Sequence, residues 1–330
     1  MVPEVEHLRN LPQNRVKMIQ FLIKRAVSGF ALLIVISTLA YFLVYSSGSN
    51  IALAILGEGA TQDQLTLKEK ELGLDKPIFD RYINWLKHAV KGDFGNSWIN
   101  NDTVVSEISR RLPVTLSLVL IAMFLAAIFA TLLGMYAAIK GGVVDRALQL
   151  VAVAGFAVPG FLVAILLINY LAIKSHIFPA TGWVKFSESP TNWLKSITLP
   201  IISLVLATIT SAAQQIRSAI KNVMDRDFVR TLTSRGISRR EILYKHVLRA
   251  AAPAGLTVLS LQFVGMLGGT VIIEHIFALP GMGDMVVNAT NSSDTPLIMG
   301  IVVYTVFIVI VVNLLVDLIN GWLNPKVRVQ

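Results

Sequence analysis

Cysteine is absent from the 330 residues, so no disulfide, thiolate metal site or cysteine nucleophile belongs to this chain. Charge is scarce too. Asp, Glu, Lys and Arg make up 15% of the residues, against about 25% in an average soluble domain. No glycine-rich stretch ends in Gly-Lys-Ser/Thr, which excludes the P-loop route to nucleotide phosphates, and neither His-Glu-x-x-His nor Gly-x-Ser-x-Gly occurs. The five histidines, His7, His88, His176, His246 and His275, stand apart without metal-ligand spacing. Neither a catalytic set nor a metal site is expected. Ionisable residues in the apolar stretches, the usual mark of ion-coupled transport, are limited to Glu274, His275 and Asp317, all near stretch ends.

What is present is apolar sequence in blocks. Hydrophobic residues reach 54%, and crossing about 30 Å of hydrocarbon takes about 20 of them in a helix. Six blocks suffice: 24–46, 113–139, 147–173, 197–216, 253–276 and 297–320, the second and third split by a short polar hinge from Lys140 to Arg146. The pattern predicts an all-α polytopic membrane protein with six transmembrane helices, a tail at 1–23, a five-helix core over 113–320 and a second tail at 321–330. The first 23 residues lack a cleavable signal pattern, so 24–46 is expected to be an uncleaved anchor.

Basic residues set the orientation. Eighteen Lys and Arg fall at the N-terminal tail, the 140–146 hinge, the 217–249 loop and the C-terminal tail, against three between the third and fourth blocks and none between the fifth and sixth. Positive charge collects on the cytoplasmic side, which places both termini and the 217–249 loop there. The net charge of +9 is then mostly topological and implies no nucleic-acid partner. Arg110 and Arg111 run against this rule on the outer side, where snorkelling is the available account.

The 217–249 loop carries signals of order. Phe228 and Leu232 sit at i,i+4 and predict one apolar stripe, with Arg226 and Arg230 on another face. Gly236 falls where a left-handed residue stops a helix. Ser238 to Glu241 fits a capping box, with Ile237 and Ile242 as a hydrophobic staple. Two helices meeting at a fixed turn make a docking element. In the outer 47–112 region, Thr61 to Gln64 predicts the start of a helix that Gly73 ends, and Pro77 opens a second helix with Ile78, Tyr82, Trp85 and Ala89 on one side. This region reads as a folded cap or, alternatively, a substrate-contact surface.

Within the spans, Gly155, Pro159 and Gly160 predict an interruption of the third, and Gly265 with Gly269 predicts a close helix-packing face in the fifth. Glu274 lies about 31 Å up a helix from Pro253 at 1.5 Å per residue, hence at the outer mouth. Two readings stay open for it: an interfacial acid in water, or a gate or substrate contact.

A multi-span body with a docking loop and no engine of its own favours a transport subunit driven by a separate ATPase. The alternative is an ion-coupled secondary transporter, for which Asn169, Gln214 and Gln262 are the polar candidates. An intramembrane enzyme lacks a catalytic set.

Several fragments, in order, point to a family: Gly73-Leu74-Asp75-Lys76-Pro77, Gly92-Asp93-Phe94-Gly95-Asn96-Ser97, Arg111-Leu112-Pro113-Val114-Thr115-Leu116, Val158-Pro159-Gly160-Phe161, Phe178-Pro179-Ala180-Thr181-Gly182, Asp227 to Gly236, and Glu274 to Gly283. With them, from about residue 22 onward, the chain resembles the B-type permease subunit of dipeptide, oligopeptide and nickel ABC importers. The resemblance implies a type I importer permease fold without catalysis in a bacterial or archaeal plasma membrane. It gives the role of the ATPase-coupling helix to Asp227, Phe228, Val229, Arg230, Leu232, Thr233, Ser234, Arg235 and the signature glycine Gly236. It makes Glu274, Phe277, Pro280 and Gly281 candidates for the outer gate or substrate mouth. Implied partners are a homologous second permease in a heterodimer, two ATPase subunits that hold ATP and Mg, an extracytoplasmic substrate-binding protein, and membrane lipid; no cofactor is expected in this chain. Alternating access, with di- or oligopeptides as cargo, is the implied mechanism. The loop has Arg230-Thr231-Leu232 where Glu-Ala-Ala gives it its name and the peptide group often has Arg-Thr-Ala, so the departures are Leu232, Thr233 and Ser234, and Gly48-Ser49-Asn50, where Gly-Asp-Pro is usual.

Overall fold

Long helices dominate the computed structural model, which describes residues 11–46 and 51–323. In chain order they are α1 (Leu11–Ser46), α2 (Ile51–Leu56), α3 (Gln62–Glu71), α4 (Ile78–Ala89), α5 (Val104–Lys140) and α6 (Gly142–Ala157). Then follow α7 (Gly160–Lys174), α8 (Pro190–Met224), α9 (Asp227–Ser234), α10 (Arg239–Ile276), α11 (Met282–Asn291) and α12 (Thr295–Leu323). Five helices are long and apolar enough to cross a membrane: α5, α8, α10, α12 and the Ile23–Tyr45 part of α1.

The expected third span is not one kinked rod. Helices α6 and α7 meet at a bend of 89°, and they form a sixth crossing only when taken as a pair. Pro159 causes the break: it holds extended geometry before Gly160, and Val158 is extended as well, as a residue before proline prefers. The far end of α7, Ile168–Lys174, is π-helical.

Helix ends differ from the apolar blocks in a consistent way. Helix α5 starts at Val104 rather than near 113, α8 runs from Pro190 to Met224, and α10 starts at Arg239 and passes through Pro253. Hydropathy registers only the greasy middle of a helix, whereas capping residues fix its polar ends. Thr103, Ser189 and Ser238 each accept a backbone N–H from the third residue on, at 3.3, 3.4 and 3.3 Å. Residues 11–23 are likewise helix, continuous with the first span, rather than a separate tail. The remaining tail residues 1–10 and 324–330 and the Gly48-Ser49-Asn50 turn lie outside the described residues.

Helices α5 and α8 make the tightest joint. On α5, Ala122, Ala126, Ala130, Gly134 and Ala138 recur every four residues and are buried. A Cβ on Gly134 would meet the Ala213 carbonyl oxygen of α8 at 2.6 Å and the Arg217 nitrogen at 3.0 Å. Such a small-residue row lets two backbones approach closely, and dispersion rather than hydrophobicity drives packing in lipid. The expected row on α10 is different. Among the described residues nothing lies within 4 Å of a Cβ on Gly265, and Gly269 meets only Leu204 at 3.9 Å. Gly265 is exposed, and its pattern of small residues has no partner among the described residues.

The core has three parts along the bundle. A central cluster joins α5, α7, α8 and α10 around Leu118, Ile197, Phe263 and Met266. A second lies at the end that carries α9, around Ile216, Ile220, Ile242 and Val247. The third, at the opposite end, joins Phe94, Val104 and Ile108 to Met282, Met285 and Leu297. Helix α1 packs at the periphery against α12, with Gly29 facing Ile310 and Arg25 paired to Asp317. Asp317, one of the few acids of the apolar stretches, is thus neutralised inside the fold.

Candidate functional site

The coupling element follows from local rules. Helix α9 has Asp227 in its first turn, where the helix dipole favours an anion. Gly236 terminates it at φ +77. The Gly236 N–H reaches the Thr233 carbonyl at 3.0 Å and the Ile237 N–H reaches the Leu232 carbonyl at 3.3 Å, which is the pair of bonds of a Schellman motif. A side chain at Gly236 meets nothing within 4 Å; the constraint there is the left-handed backbone alone.

Burial divides the residues of α9. Val229 and Leu232 pack, with Ile237, against the cluster formed by the ends of α8 and α10. Phe228, expected beside Leu232 on an apolar stripe, points away and is 37% exposed. Asp227, Arg230, Thr233, Ser234 and Arg235 are exposed as well, and Arg230 approaches Asp227 at 3.9 Å. The half-buried pair is therefore i,i+3 rather than i,i+4, and an aromatic side chain stands on the free face. Ser238 fills only one half of the expected box: Glu241 bonds Lys245 at 3.2 Å.

Beneath the loop, the spans are tied by a cluster absent from the sequence reading. Asp145 of α6 receives Arg217 and Lys221 of α8, the lysine at 2.6 Å. Arg217 grips both carboxylate oxygens, and the Asp145 and Arg217 side chains are 10% and 14% exposed. Arg217 and Lys221 lie one turn apart, so one acid meets both. The only signal in sequence was that Asp145 is the one acid of the 140–146 hinge.

At the other end, Glu274 is fully buried and does not face water. Its Oε2 accepts the Gly283 and Asp284 N–H groups at 2.6 and 3.2 Å, and its Oε1 accepts the Thr115 hydroxyl at 2.6 Å. The Thr115 oxygen in turn accepts the Met282 N–H at 2.8 Å. Three hydrogen bonds hold the carboxyl over the first turn of α11, where its oxygens cap backbone N–H groups. Gly281 and Gly283 are required beside it, since a Cβ at either would overlap Glu274. Phe277 is buried in the central core, with its carbonyl taken by Gly182 N–H at 3.0 Å, while Pro280 is exposed. Of the four mouth candidates only Glu274 and Gly281 meet; with Thr115 and Gly283 they form a clasp joining α5, α10 and α11, while Phe277 and Pro280 stand apart from it.

The same end explains the two arginines that defied the charge rule. Arg110 bonds Asp102 at 2.6 Å and Glu107 at 2.7 Å, and Arg111 lies 3.7 Å from both Glu107 and Asp284. They serve an acidic rim. The outer segment is folded onto this rim: Thr61 and Gln64 form a reciprocal cap, Gly73 is left-handed, and Pro77 precedes α4. Its last turn locks down through Asp294, a buried acid that accepts the Ser97 hydroxyl and, at 3.1 Å, the Trp98 N–H.

Known proteins are similar to this chain. The family described as "Binding-protein-dependent transport system inner membrane component" matches residues 130–329, and the N-terminal part of such components matches residues 18–119. A putative peptide transport system permease protein of Brucella abortus (strain 2308) is 33% identical over 312 residues, covering 94% of this chain and 99% of the relative. The dipeptide transport system permease protein DppB of Lactococcus lactis subsp. cremoris (strain MG1363) is 30% identical over 314 residues, 94% of this chain and 100% of the relative. The glutathione transport system permease protein GsiC of Escherichia coli (strain K12) is 30% identical over 312 residues, with 94% and 99% covered. Among solved structures, the methionine ABC transporter MetNI in inward-facing conformations has a chain of similar fold. Its TM-score is 0.50 at 13% identity, over 67% of this chain and 97% of that one. The chain belongs to the family of binding-protein-dependent transport system inner membrane components: it is a multi-pass, non-catalytic permease subunit of an ABC importer, which works with ATPase and substrate-binding components.

Proposed function

We propose that this chain forms half of the translocation pathway of an importer for di- or oligopeptides, with a second, homologous permease completing a heterodimer. Two ATPase subunits, which hold ATP and Mg, dock on α9, and a substrate-binding protein delivers cargo to the opposite face. No cofactor resides in this chain. Both termini lie in the cytoplasm, as the eighteen-to-three distribution of basic residues favours.

The observation that carries this reading is the build of α9. A helix of eight residues is too short to persist alone. Here it is stopped by a Schellman turn, anchored by Val229 and Leu232, and left with Phe228 and Arg230 uncovered. The anchoring cluster contains residues of α8 and the start of α10, so a push on α9 reaches two spans directly. The pairing with a second permease is supported by α10, where Ala254, Thr257, Leu261, Gly265, Gly268 and Ile272 form an exposed row at helical spacing. Its small members would admit close approach of another helix. The peptide cargo is supported by the named cargoes of the relatives.

An ion-coupled route gains nothing from the fold: Gln262, one of its polar candidates, donates to Ser211 at 2.9 Å. Gentle co-purification of the tagged chain from native membranes, with mass-spectrometric identification of its companions, tests the proposal. Recovery of two ATPase copies, a different permease and a binding protein that captures peptides is the expected result. Recovery of the chain alone, with ATP-independent transport after reconstitution, would overturn it.

A further inference from the structure

Below α4 lies a pocket of about 670 Å³, bounded by Tyr41 and Tyr45 of α1, Arg81 and Trp85 of α4, Trp98, and Pro296 at the start of α12. Tyr45 is the last residue of the span in α1, and Pro296 is the second residue of the span in α12. Two independent span ends thus put the pocket at the depth where hydrocarbon gives way to lipid headgroups.

Its walls are aromatic. Ring centroids lie 4.3 Å apart for Tyr41 and Tyr45, 5.6 Å for Tyr41 and Trp85, and 6.4 Å for Tyr45 and Trp98. The Arg81 guanidinium sits 4.8 Å over the Tyr45 ring and has no acidic partner among the described residues. Arg81 Nε and Trp85 Nε1 are buried donors without a hydrogen-bond partner. Such groups are few in native folds and call for an acceptor. The rim carries both signs, with Lys70 and Lys76 set against Glu71, Asp80 and Asp93, and Arg81 making up the third cation. A cation lined by aromatic faces, unused donors and a balanced rim fit a ligand with one negative and one positive group.

We infer that this pocket holds the headgroup of a zwitterionic phospholipid. Arg81 takes the phosphate, while the ammonium lies against the Tyr41, Tyr45 and Trp98 rings and Asp93. Bound there, a lipid ties the peripheral α1 to α4 and α12. The inference rests on α1 and α12 spanning the membrane, and it is independent of the cargo.

The test uses the full chain with its partner subunits, in nanodiscs of equal parts phosphatidylethanolamine and phosphatidylglycerol. After release into detergent, native mass spectrometry reads the retained lipid. The expected result is retention of phosphatidylethanolamine over phosphatidylglycerol. Arg81→Gln should cut that retention about tenfold, the scale of one charge-assisted hydrogen bond, and Arg81→Lys should keep part of it. Soluble glycerophosphoethanolamine should displace the lipid where inorganic phosphate does not. Unchanged retention in Arg81→Gln, equal retention of both lipids, or displacement by inorganic phosphate alone would overturn the inference. If Arg81→Gln lowers the melting temperature, the split between Arg81→Lys and wild type decides. The partner subunits should stay bound in every variant, which separates this result from a failure of the permease reading.

Discussion

Replacing Glu274 should loosen the outer end of the bundle by an amount that the hydrogen-bond pattern sets. The carboxylate accepts two backbone N–H groups of α11 and the Thr115 hydroxyl. Glu274→Ala strips the first turn of α11 of its acceptor, and with Glu274 fully buried no water stands ready to replace it. Hydrogen bonds to a charged group contribute about 1.5–3 kcal/mol each, but the three share one carboxylate and do not add. A net loss of about 3–5 kcal/mol follows, since each buried donor left unpaired costs about 1–3 kcal/mol. Glu274→Gln keeps one acceptor oxygen for the two N–H groups, and the Thr115 hydroxyl can turn to receive the amide, so the loss should be about 1 kcal/mol. Thermal unfolding of the purified chain in detergent reads the difference. At about 2–4 °C per kcal/mol, Glu274→Ala should lower the apparent melting temperature by about 6–20 °C and Glu274→Gln by about 2–4 °C. Thr115→Val removes the bridge to Met282 as well. A double-mutant cycle with Glu274→Ala should therefore show coupling above about 1 kcal/mol, as for residues in one network. Equal melting temperatures for all three proteins, or additive losses, would refute the clasp.

Other perturbations follow from the same reasoning. Gly236→Ala forces a Cβ into a left-handed backbone at a cost of about 1–2 kcal/mol; with φ at +77, ATP-driven uptake should fall while the spans stay folded, as circular dichroism would report. Phe228→Asp changes a free face, so stability should stay within about 0.5 kcal/mol while ATPase co-purification drops; unaltered recovery of the ATPase would remove Phe228 from the contact. Leu232→Asp puts a charge against the cluster that anchors α9, and should lower both thermal stability and uptake. Asp145→Asn leaves Arg217 and Lys221 without their acid and should destabilise the chain by about 3–5 kcal/mol, whereas Asp145→Glu should recover part of that. Gly134→Val drives a side chain into the α8 backbone and should cost at least about 1–3 kcal/mol by the same melting assay.

Much of this was legible because its causes are local. Apolar blocks announce spans, Thr61 with Gln64 announces a cap, and Gly236 announces a helix stop, since each depends on a few adjacent residues. The row Ala122, Ala126, Ala130, Gly134, Ala138 was equally visible, yet the eye goes to Gly265 and Gly269; glycine alone does not say which helix lies opposite. The bend at Pro159 was foreseen as a kink, but its 89° depends on how α6 and α7 pack against α8. Ion pairs were invisible. Asp145 and Arg217 are 72 positions apart, Arg25 and Asp317 are 292 apart, and no periodicity links such residues. The burial of Glu274 has a related cause: spacing along one helix gives its height, while the cover supplied by α11 comes from a later segment. Phe228 shows the limit of spacing arguments in a helix of eight residues, where Val229 and Leu232 serve as well as Phe228 and Leu232 and only the neighbours decide.

The absence of cysteine makes the most direct measurement simple. Phe228→Cys gives the chain a single thiol, and a bifunctional cross-linker of short reach then reports what faces it in native membranes. The account predicts a cross-link to an ATPase subunit that changes in yield when ATP is trapped, with none from a control cysteine at His88 on the opposite face. A cross-link from His88→Cys to the ATPase, or none from Phe228→Cys in a complex that still hydrolyses ATP and transports, would contradict the assignment of α9 as the coupling helix.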